Sequence, residues 1–97
     1  MKFEISSDAE LDIADGFWFH GHREVGLGDY FRSSIIADIE SLSIHGGVHK
    51  VVNGYHRAIC KTFPYFVYYR MDTKDSLTIL AVVGQRRDPA WVKERLG

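Results

Sequence analysis

The chain has a single cysteine, Cys60, so no internal disulfide can form, and its composition fits a reducing compartment. Proline occurs twice, at Pro64 and Pro89, and there is no proline-rich linker, internal repeat or low-complexity tract. Excess charge of one sign is also missing. Twelve Lys and Arg stand against thirteen Asp and Glu, a formal net charge of -1. No global field therefore draws the chain to nucleic acid or to a membrane, and only a local basic patch remains open. No run approaches the roughly 20 apolar residues of a membrane span. The opening MKFEISSDAE carries charges where a signal peptide needs a continuous apolar stretch. These absences lead us to expect a cytoplasmic protein with no membrane association.

What the chain does have is core-forming material. Hydrophobic residues make up 45%, and six Phe, five Tyr and two Trp account for the 13% aromatic content, which argues for a packed globular domain rather than disorder. Ninety-seven residues suffice for one domain around one core, so 1–97 is read as a single unit.

Most of the organisation lies in the second half. From Tyr55 to Phe63 the chain alternates, placing Tyr55, Arg57, Ile59, Lys61 and Phe63 on one strand face and His56, Ala58, Cys60 and Thr62 on the other. Pro64 cannot donate to a ladder and marks a turn into Tyr65 to Met71, whose aromatic and β-branched residues suit a strand. Asp72 to Asp75 form a polar reversal, and Leu77 to Val83, apolar on both faces, suits the most buried strand. Asp88 as cap and Pro89 at the first helical position start a short helix through Trp91, Val92 and Leu96.

In the first half, Lys2 to Ser6 alternates as a short strand. Ser7 and Glu10 have capping-box spacing, with Ser7 as the cap. The helix that follows carries Leu11, Ala14, Trp18 and Gly21 at steps of three and four, widened by Ile13 and Phe17. Gly26 and Gly28 mark the break before a second helix with Leu27, Phe31, Ile35, Ile39 and Leu42 on one face, ended by Gly46 and Gly47. Val48 to Gly54 connects to the sheet. The expected fold is α+β: an N-terminal strand, an antiparallel helix hairpin, a three-stranded antiparallel meander completing the sheet, and a short C-terminal helix, with the helices against one side.

The series FPYFVYYR, a polar turn, LTILAVVGQRRDP and a following Trp91 resembles the second half of the RelE/ParE toxin superfamily, in its ParE-like branch, often labelled plasmid stabilisation proteins. The likeness extends over the helical first half. It implies the toxin of a type II toxin–antitoxin module, neutralised in a hetero-oligomer by a cognate antitoxin that folds on binding. Free ParE-like members poison DNA gyrase without a recognised catalytic site. RelE-like members instead cut mRNA on the ribosome, which is the alternative activity, and a non-toxic degenerate member is a third.

The cations carry the candidate chemistry. Arg57 and Lys61 share a strand face by parity, while Arg86 and Arg87 leave a buried strand where side chains can converge, and such a cluster can bind phosphate or stabilise its developing charge. The resemblance matches Arg86 to the arginine after the last RelE strand, making Arg57, Lys61 and Arg86 the residues of a ribonuclease reading. Target binding would add Arg87 and Trp91. The plain alternative is solvated charge, with Arg86 or Arg87 paired to Asp88 or Glu94.

The departures favour an inhibitor over an enzyme. Phe66 stands where RelE-like nucleases carry an arginine, Trp91 replaces their tyrosine or histidine acid–base, and Gly84 replaces a histidine frequent among ParE-like members. Trp91 does not exchange protons usefully near neutral pH. No cofactor is indicated. His20 with His22 and His45 with His49 lack the alignment and partner ligands a metal site needs. Cys60 reads as a small buried residue rather than a nucleophile, and the rings of Phe63, Tyr65, Phe66, Tyr68 and Tyr69 as core packing rather than a nucleic-acid stacking platform.

Overall fold

The computed structural model describes all 97 residues. Its elements are β1 (Lys2–Ile5), α1 (Ser7–Arg23), α2 (Leu27–His45), β2 (Val51–Val52), β3 (Tyr55–Ile59), β4 (Tyr65–Thr73), β5 (Ser76–Gly84) and α3 (Pro89–Leu96). One sheet of order β1-β5-β4-β3-β2 holds all five strands, with β1 parallel to β5 and every other pair antiparallel. The α+β architecture is the expected one. The apolar run of β5 lies inside the sheet, between β1 and β4, where Leu77, Ile79, Ala81, Val82 and Val83 are all buried.

Alternation along the strands, shifted once where Leu80 is left out of the register opposite Tyr68 and Tyr69, makes two cores. Val67 and Tyr69 of β4, with Leu77, Ile79 and Val82 of β5, face the helix hairpin and meet Phe31, Ile35, Ile39 and Leu42 of α2. That α2 stripe is the periodic one read from the sequence. Tyr68, Ala81 and Val83 face the other way and are covered by Val92 of α3, with Leu96 alongside. The third helix thus packs on the sheet face opposite the hairpin, not beside it, because the side chains of β5 are apolar on both surfaces.

α1 differs more from the reading of its sequence. Its N-cap is Ser6, whose hydroxyl accepts from the Ala9 amide at 3.1 Å, one residue before the expected cap Ser7. The buried face holds Ala9, Ile13, Gly16 and His20. Leu11 and Trp18, expected in the core, are 62% and 61% exposed. Close approach decided between the two faces: a Cβ at Gly16 would collide with the Phe31 ring, and one at Gly28 with the Phe17 carbonyl. Gly28 accordingly lies inside α2 rather than in the break, and the chain reverses at Gly26, whose φ is 83°.

Two strand boundaries moved as well. Val51 and Val52 pair with His56 and Tyr55, so part of the expected connection is a hairpin, turned by Asn53 (φ 55°) and Gly54 (φ 84°). An Asn-Gly pair with both residues left-handed is the favoured tight turn between antiparallel strands. β4 runs on to Thr73, which shortens the reversal to Lys74 and Asp75. No helix is long and apolar enough to cross a membrane.

Candidate functional site

The sheet face away from the hairpin carries Arg57 on β3, opposite Tyr68 on β4. The Arg57 guanidinium lies 4.2 Å from the centre of the Phe66 ring, a cation–π contact that orients it without neutralising it. Across from it, the chain leaving β5 turns at Gly84, where the Arg87 amide donates to the Gly84 carbonyl at 3.0 Å. Asp88 then caps α3, accepting from the Ala90 amide at 2.9 Å. This short turn sets the Arg87 guanidinium 4.1 Å over the Trp91 ring.

Two clefts meet at Arg87. One, of about 290 Å³, lies between Arg57 and Arg87 over Phe66, Tyr68 and Val92. The other, of about 440 Å³, runs behind Arg87 beside Arg86, Tyr65 and Trp91, with Asp12 and Asp15 of α1 on its far wall. The ion pairs of the chain are Arg70–Asp72, Arg95–Asp8 and Arg95–Asp12. Arg57, Arg86 and Arg87 are therefore unpaired, and the neutralisation by Asp88 or Glu94 that was the plain alternative does not occur. Three guanidinium groups with their donors free can grip phosphate or carboxylate oxygens in two-point fashion.

Lys61 does not join them. β3 ends at Ile59, and the Cys60 amide donates to the Tyr65 carbonyl at 3.0 Å as the chain swings into the 60–64 loop. Strand parity no longer applies there, so Arg57 and Lys61 do not share a face. The Lys61 amide instead reaches Asp38 of α2 at 3.3 Å, and the residue lines a cleft on the hairpin side with Cys60 and His45. Cys60 is buried, and burial first, then Asp38, push its thiol up to about 12, which keeps it protonated. Trp91 lines the larger cleft.

Sequence reasoning missed Tyr65 and His20. Tyr65 lines the larger cleft, and its hydroxyl lies 3.1 Å from His20 Nε2. Burial raises the Tyr65 pKa and lowers that of His20, the latter helped by Arg23, so both are neutral near pH 7. The pair is a fixed polar contact through which α1 holds the start of β4, and the signal for it, an i, i+4 step from Gly16 to His20, is too weak to find unaided. Two further histidines are also committed: His49 Nδ1 lies 2.6 Å from the Tyr69 hydroxyl, which accepts from the Gly47 amide at 2.8 Å, and His56 Nδ1 bonds the His49 carbonyl at 2.8 Å.

A helix hairpin on one face of a five-stranded sheet, a short terminal helix on the other, and a rim of unpaired arginines define a small α+β domain. Compared with solved structures, the chain is similar to one from the "Chromosomal ParDE TA system from P. aeruginosa", with a TM-score of 0.70 and 14% identity over 87% of this chain and 95% of that one. At that identity the likeness is one of fold. No protein-family model matches the sequence, and no curated protein matches it.

Proposed function

We propose that this chain is a ParE-like toxin of a type II toxin–antitoxin pair, neutralised by a cognate antitoxin and acting by inhibiting DNA gyrase when free. Two independent lines support the reading: the residue series from FPYFVYYR to Trp91, and a fold shared with a chain of a ParDE TA system across 87% of its length. The single observation that carries the mode of action is the rim of Arg57, Arg86 and Arg87, which is unpaired, while Asp15 alone among the acids and the phenol lining the larger cleft has no partner. Arg87 is stacked on Trp91, Tyr65 is held by His20, and Asp12 is held by Arg95. Such a surface suits gripping an anionic partner, and one free carboxylate on its far wall is not the paired acid and base that cutting it would need.

The ribonuclease alternative keeps one point in its favour. Cations lying over the rings of Phe66 and Trp91 are also what a single strand of RNA uses. Its residue set would then be Arg57 and Arg86, with Lys61 dropped by its position. Induced expression, with and without the neighbouring antitoxin gene, separates the readings. Growth arrest relieved by the antitoxin, with a DNA-damage response and intact messages, is the expected result, and Arg87→Ala should abolish the arrest. Cleavage of messages within translated codons, lost in Arg86→Ala, would reverse the ranking, and no arrest at all would remove both.

A further inference from the structure

α1 has two apolar sides. One is spent on the core; the other, Leu11, Ala14 and Trp18 at helical spacing, is left in solvent. Beside it runs a groove of about 460 Å³ between α1 and α2, floored by Ile13, Phe17 and Ile36, with Glu10 and Arg32 on its walls. An apolar stripe of this kind on a monomer marks a contact surface. Its charges identify the occupant. Glu10 stands near the start of α1 and Arg32 lies 5.6 Å over the Phe17 ring, near the other end. Neither belongs to an ion pair.

The geometry points to a second copy of this chain, docked through a two-fold axis at Ala14 so that the two α1 helices cross antiparallel and Glu10 of each copy meets Arg32 of the other. Two-fold contacts use the same patch twice, and a patch with one acid and one base at opposite ends of an apolar stripe is complementary to itself. Antiparallel pairing about position 14 sets residue 10 against residue 18 and residue 11 against residue 17. Each Trp18 therefore lies over the partner's groove while the small Ala14 lets the helices approach to about 8–10 Å. The surface is separate from the arginine rim, and the inference does not depend on the toxin reading.

Sedimentation of the purified chain tests it, with circular dichroism on every variant to check folding. The wild type should run at twice its 11.1 kDa and dissociate on dilution. Trp18→Asp should weaken association about tenfold or more, a loss of about 1.4 kcal/mol. Glu10→Arg sets two pairs of arginines face to face and Arg32→Glu two pairs of glutamates, so each alone should be monomeric. Mixing the two monomeric variants should restore a dimer, because every contact is then of opposite sign, and no folding defect produces that result. A wild type that stays at the monomer mass, or a mixture that fails to associate, overturns the proposal. So does a monomer whose Trp18 is shielded only by a co-expressed partner, which would give the groove to that partner.

Discussion

Arg95 of α3 grips Asp12 of α1 with both terminal nitrogens, at 2.9 and 2.8 Å, across the end of β5. β1 stops at Ile5, leaving the last residues of β5 without a neighbouring strand on that edge, and Asp12 also accepts from the Val82 amide at 2.9 Å. One carboxylate therefore closes an open strand edge and anchors the helix that presents Trp91. Arg95→Ala should cost about 2 kcal/mol, the range of a charge-assisted contact, and lower Tm by roughly 10 °C. Asp12→Ala should cost more, since it also orphans the Val82 amide. Amide exchange at Val92 should quicken in both, with the amides of α2 unchanged.

Acid should loosen the fold from the histidines outward. Burial, then Arg23, lowers the pKa of His20; burial, then His56 and His45, lowers that of His49. The unfolded chain takes up these protons at the ordinary value near 6.5, whereas the folded chain resists them to lower pH. Their stabilising contribution is thus fully present above about pH 6.5 and is lost as pH falls through the folded values. Denaturant unfolding at a series of pH values should show stability falling below that point, and His20→Gln should flatten part of the decline.

Gly16 and Gly21 lie five residues apart on α1 and should respond oppositely to alanine. At Gly16 the new methyl meets the Phe31 ring, and overpacking should destabilise by about 2 kcal/mol. At Gly21 the nearest atom is the Gly28 Cα, 3.8 Å away, so helix propensity dominates and the chain should gain about 0.5–1 kcal/mol. Paired thermal melts decide it.

Cys60 should be inert in the native state. A thiol raised from 9.0 to about 12 has about a thousandfold less thiolate near neutral pH, before any shielding by its neighbours. Alkylation should therefore follow global unfolding, and rates should rise with denaturant in step with the loss of near-ultraviolet dichroism.

The parts of this molecule legible in the sequence are those where one physical signal acts alone. The α2 stripe, the Asp88-Pro89 start of α3 and the doubly apolar β5 were readable because periodicity, capping and composition each had a single interpretation there. α1 was not, because it carries two apolar faces, and the choice between them depended on how closely Gly16 lets Phe31 approach. Lys61 was misplaced for a related reason: parity holds only while a strand remains in its ladder, and nothing local announces that β3 leaves it after Ile59. In the site, the arginines were visible as residue types. Their freedom from Asp88 and Glu94, and their meeting at Arg87, are matters of tertiary placement.

The parallel pairing of β1 with β5 sets Lys2 beside Ser76, a separation of 74 residues. During synthesis the first strand must wait, unpartnered, until Ser76 to Ile79 have been made, and Arg86 and Arg87 emerge later still. A nascent copy therefore cannot assemble its arginine rim until the strand that partners β1 and the turn beyond it have both left the ribosome.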